Sequence, residues 1–314
     1  MTMRDDSGER LLVVRAPVAN LRRKPVEPRT DYAHDDLQET QLLYNETLLC
    51  KGEEAGWYYV EGKEQARFST ERGWHGYPGW VKKENVLHVA NAPPSNSVVT
   101  ARTAQLLSEP REGASPGLFL SFGTRLQIEE AAGEYLRASI AGGGFSWIHK
   151  AGVSTQAEIP SDPSLLRQNI VKAARLFAGT PYLWGGRSMF MADLTATVTG
   201  VDCSGLTNLV YRGSTIGLPR DAHDQWLVTE RISLASLQPG DLIFISKANQ
   251  HSSVDHVMLY VGEERIIEAP EGGTTVKEKT LKEKLGFGLG SLEKKGFIVD
   301  SKRIYLACVR ALCK

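Results

Sequence analysis

The stretch "GVDCSGLTNLVYR", residues 200–212, decides how the chain is read. Leu206, Leu209 and Val210 recur at helical spacing behind a cysteine, and Asp202 stands where a helix N-cap belongs. Cys203 therefore opens a predicted helix. Unpaired backbone N–H groups and the helix dipole favour negative charge at that position, which promotes the reactive thiolate over the thiol. Gly205 permits close backbone approach, and the backbone N–H of Cys203 can serve an oxyanion hole. On these residues alone a buried packing cysteine is the competing reading.

A nucleophilic cysteine needs a base within reach. Of seven histidines, only His223, His251 and His256 follow residue 160. His223 and His251 sit in polar, loop-like segments. His256 opens the apolar run "HVMLYVG", where alternation puts His256, Met258 and Tyr260 on one face and Val257, Leu259 and Val261 on the other. A strand edge is a rigid place from which to aim an imidazole. A base also needs a partner for its second ring nitrogen. Glu268, in "RIIEAP", follows one strand later, and a connection with a bulge would bring it to the face of His256. An exposed strand carboxylate is its alternative reading.

The surrounding elements predict an α+β fold. "SLLRQNIVKAARLFAG" carries Leu165, Leu166, Ile170, Ala173, Ala174 and Phe177 near helical spacing, with Asp162 as N-cap, Pro163 at N1 and Gly179 as the stop. Strands are expected at 240–246, 256–262, 265–270 and 303–312, mostly antiparallel.

The first half of the chain is a degenerate repeat. "VVRAPVANLRRKP" through "GYPGWVKKENV" is echoed by "VVTARTAQLLSEP" through "GFSWIHKAGV". Short alternating strands joined by Gly- and Pro-rich turns predict two small β-barrels, over residues 10–90 and 95–155. "NAPPSNS" (91–97) links them, and "STQAEIPSDPS" (154–164) precedes a third domain over 160–314.

Bulk properties narrow the function. Lys+Arg and Asp+Glu both number 37, so the formal net charge is zero and neither nucleic acid nor an acidic membrane surface is implied as a partner. The basic clusters "LRRKP" and "KEKTLKEKLG" read as solvated surface. No window is long enough for a membrane span or a signal-peptide core, so a cytoplasmic, monomeric protein is expected; a periplasmic or exported one is the alternative if a leader has been removed. Cys50, Cys203, Cys308 and Cys313 include no CxxC pair, so neither a structural zinc site nor a disulfide framework is expected, and Cys50 and Cys308 read as core. No metal or cofactor is implied.

"YLWGG" (182–186), "DCSGLTNLVYRGSTIGLPRDAHDQ" (202–225), "PGDLIFI" (239–245) and "DHVMLYVGEERIIEAP" (255–270) together resemble the NlpC family of papain-like cell-wall cysteine peptidases. "ANLRRKP" and "PGWV" resemble bacterial SH3-like domains. The combination is similar to the family's γ-D-glutamyl-L-diamino-acid endopeptidases. The resemblance implies a papain-like catalytic domain preceded by two SH3-like barrels. It implies cleavage of the γ-D-glutamyl–diaminopimelate bond in murein peptides of the L-Ala-γ-D-Glu-diaminopimelate type, favouring a free N-terminal L-Ala. Cys203 would be the nucleophile, His256 the general base, and Tyr182 an oxyanion donor. The third catalytic position, often His, falls on Glu268, which is a departure. Asp202, Ser204 and Asp221 would bind substrate, with Tyr77 and Glu46 closing the non-prime end. The segment 187–201 is longer than the pattern and would shape a lid or the prime side. The competing readings are a murein-peptide binding protein with an impaired catalytic domain, and a papain-like amidase or acyltransferase.

Overall fold

The computed structural model describes residues 10–192, 197–247, 253–295, 298–299 and 302–313. The chain divides into two compact units. One comprises Met1–Ile159 with Leu183–Gly200, the other Pro160–Tyr182 with Val201–Lys314. Residues 183–200 thus group with the N-terminal unit, although they interrupt the C-terminal one in sequence.

The N-terminal unit is all β apart from short 3-10 turns. Seven antiparallel strands form its first sheet, in the spatial order Gln38–Leu43, Val18–Arg22, Gly73–Lys82, Trp57–Ser69, Thr47–Glu54, Arg10–Val14, Val86–Val89. Leu12, Val14, Leu21, Leu42, Leu48, Val60 and Val81 fill its core. Alternation explains the choice: within Arg10–Val14 and Val18–Arg22 the β-branched and leucine side chains have a buried face to occupy. Gly79 is required by packing, since a Cβ there would lie 2.7 Å from Leu21 Cγ. The second module pairs a five-stranded and a three-stranded sheet around Val99, Leu106, Leu120, Leu126, Ala138 and Ile148. Tyr44 of the first module is buried in this second core, and its hydroxyl accepts from Ala141 N at 2.8 Å.

The predicted solvation of "LRRKP" fails at Arg22. Its guanidinium is buried, donating to Asp35 Oδ2 at 2.6 Å and to the Val26 and Glu27 carbonyls, because the following loop folds back over it.

In the C-terminal unit, helix α1 (Pro163–Leu176) begins as expected: Asp162 Oδ1 accepts from Ser164 N and Leu165 N, with Pro163 at the first position. Leu166, Ile170, Ala173, Ala174 and Phe177 are buried, but Leu165 is exposed. Helix α2 (Cys203–Arg212) packs beside α1 and against the strand His256–Gly262. Helix α3 spans Ala222–Val228, so His223 lies on a helix rather than in a loop, stacked on Trp226. His251 lies outside the described residues.

The sheet runs in the order Glu230–Arg231, Lys302–Cys308, Leu242–Lys247, His256–Gly262, Arg265–Glu268, Lys277–Thr280, all antiparallel, and Ile298–Val299 adds to the Lys302–Cys308 strand. Ile243, Ile245, Met258, Tyr260, Ile266, Ile304 and Leu306 line one face, covered by Leu281 and Leu292 of helices α4 (Leu281–Leu285) and α5 (Leu289–Lys295). Each such buried aliphatic side chain contributes about 1.5–3 kcal/mol relative to exposure. The fold is α+β.

The expected last strand over 303–312 stops at Cys308, and a 3-10 turn follows over Arg310–Leu312. Cys308 is buried, as its apolar neighbours suggested, yet it is also joined to Cys313 in a disulfide. Spacing gave no sign of that bond, because the turn that brings the two sulfurs together is not encoded by a paired-cysteine motif. Arg167 of α1 sits beneath this turn. It donates to Asp241 Oδ1 at 2.8 Å, to the Pro239 carbonyl and to the Leu312 carbonyl, tying helix, sheet and C-terminal turn together.

Candidate active site

Asp202 caps α2 by accepting from Gly205 N at 2.7 Å, which fixes Cys203 as the first helical residue. Asp202 is nearly buried and its charge is compensated. Arg220 donates from Nη1 to Asp202 Oδ1 at 3.0 Å and from Nη2 to Oδ2 at 2.7 Å, and Nη1 also reaches Ser204 Oγ at 2.8 Å. The guanidinium fork matches the carboxylate plane, so this pair holds the turn around Cys203 rigid. Gln225 of α3 supports the same turn, donating to the carbonyls of Ser204 and Pro219, each at 3.0 Å. Asp221 occupies the N-cap position of α3 without a capping hydrogen bond from its side chain.

The His256–Gly262 strand delivers the imidazole. Its hairpin to Arg265–Glu268 turns through Glu263 and Glu264, both with positive φ, and the register shifts between Tyr260 and Gly262. That bulge is the device the sequence required. Leu259 faces Ile267 and Tyr260 faces Ile266 across the ladder, and Glu268 thereby shares a face with His256. His256 Nε2 and Glu268 Oε2 are 2.6 Å apart. The His256 side chain is also hydrogen-bonded to Cys203. With Nε2 committed to Glu268, Nδ1 is the nitrogen left for the sulfur.

The electrostatics follow from that arrangement. Burial alone would lower the pKa of His256. The Coulombic influence and hydrogen bond of Cys203 and the hydrogen bond to Glu268 outweigh burial and raise it to about 9, with Lys284 opposing them. Glu268 is 0% exposed. Its burial would push the carboxyl up, but His256, Lys279 and Lys284 hold it down to about 2. Lys279 Nζ forms an ion pair with Oε1 at 2.8 Å and Lys284 Nζ with Oε2 at 2.6 Å. These two lysines belong to "KEKTLKEKLG", read from sequence as solvated surface. They were missed because their common target, Glu268, becomes their neighbour only when the Lys277–Thr280 strand pairs with Arg265–Glu268 and α4 closes behind it.

Tyr182 precedes residues 183–200, forms a bridge with Val201, and donates its N–H to the Thr274 carbonyl. Burial, then the nearby Asp202 and Cys203 charges, push its phenol well above the ordinary range, so the hydroxyl keeps its proton.

Two predicted substrate residues belong to the N-terminal unit, and both are buried there. Glu46 is buried; Oε1 receives Arg187 Nη1 at 2.8 Å and Oε2 receives Gln65 Nε2 at 3.0 Å. Tyr77 belongs to the first core, with its hydroxyl 3.4 Å from Glu39 Oε2 and Arg67 over its ring. The segment expected to act as a lid is held within the same unit. Ser188 Oγ donates to Gln41 Oε1 at 2.7 Å, Gln41 Nε2 to the Val198 carbonyl at 2.7 Å, and the Tyr32 hydroxyl to the Thr199 carbonyl at 2.9 Å. Among the described residues no group of His, Cys, Asp and Glu is arranged to hold a metal ion, and no helix is long and apolar enough to cross a membrane.

Residues 179–286, which span this site, match the NlpC/P60 family model. The chain is 28% identical over 264 residues to the γ-D-glutamyl-L-lysine dipeptidyl-peptidase of Bacillus subtilis (strain 168), covering 84% of this chain and 82% of that protein. It is 28% identical over 243 residues to the Bacillus cereus protein of the same name, covering 76% and 69%. The crystal structure of an NlpC/P60 family protein from Bacillus cereus superposes with a TM-score of 0.72 at 25% identity, covering 86% of this chain and 94% of that one. A cysteine at a helix start, bonded to a strand-borne histidine inside this papain-like fold, agrees with those likenesses: the chain carries an NlpC/P60 domain over residues 179–286 and is a cysteine peptidase homologous to the two Bacillus proteins.

Proposed function

We propose that this peptidase hydrolyses the γ-D-glutamyl–diamino acid bond of murein peptides, with diaminopimelate or lysine as the diamino acid, and prefers a free N-terminal L-Ala. The observation that carries the reading is the His256 imidazole bonded on one side to Cys203 and on the other to Glu268. The two Bacillus relatives, named for γ-D-glutamyl-L-lysine cleavage, support the choice of bond.

In this reading the Cys203 thiolate attacks the γ-carbonyl carbon, and the Cys203 backbone N–H and the Tyr182 hydroxyl take up the developing oxyanion. The imidazolium gives its Nδ1 proton to the departing amine as the C–N bond breaks, leaving a thioester. Neutral His256 then takes a proton from water, whose oxygen attacks the thioester, and the thiolate leaves with the acid product formed. Glu268 fixes the ring and stabilises the imidazolium. Asp202 and Ser204 accept from the substrate ammonium, with Asp221 nearby in sequence. Asp202 would share its charge between that ammonium and Arg220. Glu46 and Tyr77 would act on the same end of the substrate only indirectly, since their polar atoms already serve partners inside the N-terminal unit.

The test is mass spectrometry after incubation with L-Ala-γ-D-Glu-diaminopimelate, its lysine counterpart and their N-acetylated forms. The reading expects release of the diamino acid from the free peptides and a fall of roughly 10²-fold or more in kcat/KM on acetylation, the scale of losing a charged hydrogen-bonded contact. Binding without cleavage would favour the rival binding-protein reading, and equal rates on both forms would remove Asp202 and Ser204 from recognition.

A further inference from the structure

Glu268 stands at a position where the resemblance often has a histidine, and its surroundings carry further charge. A buried carboxylate with only a histidine for company is poorly matched: whenever the ring is neutral, the carboxylate is left as an isolated buried charge and takes up a proton instead. Here the carboxylate has one hydrogen-bonded imidazole and two lysine ion pairs. Oε2 lies 2.6 Å from both His256 Nε2 and Lys284 Nζ, and Oε1 pairs with Lys279 Nζ at 2.8 Å. The lysines come from different elements, Lys279 from the strand beside Glu268 and Lys284 from the last turn of α4. Helix α4 is itself fixed by a reciprocal cap, in which Thr280 Oγ1 accepts from Glu283 N and Glu283 Oε2 accepts from Thr280 N. Both lysine side chains are largely covered, so neither position is accounted for by surface solvation.

We propose that Lys279 and Lys284 are positioning residues of the reaction, which act on His256 by holding the Glu268 carboxylate ionised, oriented and partly neutralised. This rests on the reading of Cys203 and His256 given above. Two effects follow from the geometry. The lysines keep Glu268 charged through both protonation states of the ring, so the imidazole stays aligned during acylation and deacylation. They also weaken the carboxylate's hold on the imidazolium, because Lys284 competes for the oxygen that faces Nε2. A bare glutamate would retain the proton that His256 must give to the departing amine. The charged groups around the ring are Cys203 of α2, Glu268 of the neighbouring strand, Lys279 of the next strand and Lys284 of α4, and the direction of each influence agrees: Cys203 and Glu268 raise the imidazole pKa, and Lys284 lowers it.

The test uses the full chain and a readout independent of substrate. The rate of Cys203 alkylation by iodoacetamide is followed against pH by peptide mass spectrometry, in the parent and in Lys279→Met, Lys284→Met and the double variant. The expected result is that both inflections move upward in the double variant, by about one unit, the scale of removing a neighbouring opposite charge from a carboxylate. The lower one rises because Glu268 now takes up a proton more readily, the upper one because the imidazolium is held more strongly. Lys279→Arg with Lys284→Arg, which keep the charges, should restore the parent profile. On a Glu268→Gln background the lysine substitutions should no longer move the lower inflection. Profiles of folded Met variants that coincide with the parent would overturn the proposal, and so would a lower inflection that still moves on the Gln background. If the Met variants fail to fold, the Arg variants decide: a displaced profile in them places the effect in side-chain shape rather than charge and contradicts the proposal, while a parental profile supports it. Loss of alkylation dependence on His256 in the parent would instead strike at the catalytic reading itself, so the two failures are separable.

Discussion

Glu46 and Glu268 are both buried carboxylates, one in each unit, and they are held in different ways. Glu46 faces Arg187 and Gln65, partners that keep one protonation state across the working range. Glu268 faces His256 and two lysines, and His256 is in turn bonded to a thiol. Burial of charge is therefore not a mark of chemistry by itself. The Glu46–Arg187 pair fixes residues 183–200 against the first β module. The Glu268 cluster has a partner that can gain and lose a proton, with the proposed nucleophile Cys203 on the far side of it. What separates a strut from a reactive site is the titratable group in the middle.

The comparison can be broken most severely at the nucleophile. Cys203→Ala should lower kcat at least about 10⁴-fold while leaving the thermal unfolding midpoint close to that of the parent. Steady-state turnover alongside calorimetry checks this, and substantial turnover in the variant would remove the distinction. The next effect is on the strut. Arg187→Met leaves Glu46 buried without its cation and should cost about 3–5 kcal/mol of stability. The orphaned carboxyl would take up a proton more readily, so the deficit should be largest at high pH and shrink as pH falls in denaturant titrations. In the catalytic cluster the parent itself carries a pH dependence. The His256 pKa is raised from 6.5 to about 9, so its contribution to stability is complete below the ordinary value and is lost as pH rises through about 9. The Glu268 pKa is lowered from 4.5 to about 2, so its contribution is present above the ordinary value and is lost as pH falls toward 2. An Arg187→Met deficit that grew as pH fell would contradict the reading of this pair as a strut.

The parts of this site that sequence could convey were those set by local rules. Asp202 before Cys203 reads as a cap, the apolar stripe behind it as a helix, and the alternation after His256 as a strand, because each depends on neighbours a few residues away. The bulge that aligns Glu268 with His256 was anticipated only as a requirement of parity. The clamps were not legible. The two-pronged grip of Arg220 on Asp202 and its reach to Ser204 depend on how the 213–221 loop returns to the start of α2. Lys279 and Lys284 sat in a run that looked like solvated charge, since nothing local marks which lysine in such a run meets a buried carboxylate. The segment 187–201 looked like an extension within the catalytic domain, and its partners Tyr32, Gln41 and Glu46 lie more than a hundred positions earlier. Leu165 matched the helical stripe yet is exposed, because it lies at the edge of the apolar face in the first turn of α1.

The central claim is that Glu268 holds His256 in the protonated form that Cys203 needs. The pH dependence of kcat/KM in the parent and in Glu268→Gln tests it most directly. The account predicts an alkaline limb near pH 9 in the parent, set by His256. In Glu268→Gln that limb should move toward neutrality, and activity at its optimum should fall by roughly 10²-fold or more, the lower range for loss of assisted proton transfer. An alkaline limb at the same pH in both proteins, with activity retained, would contradict the account.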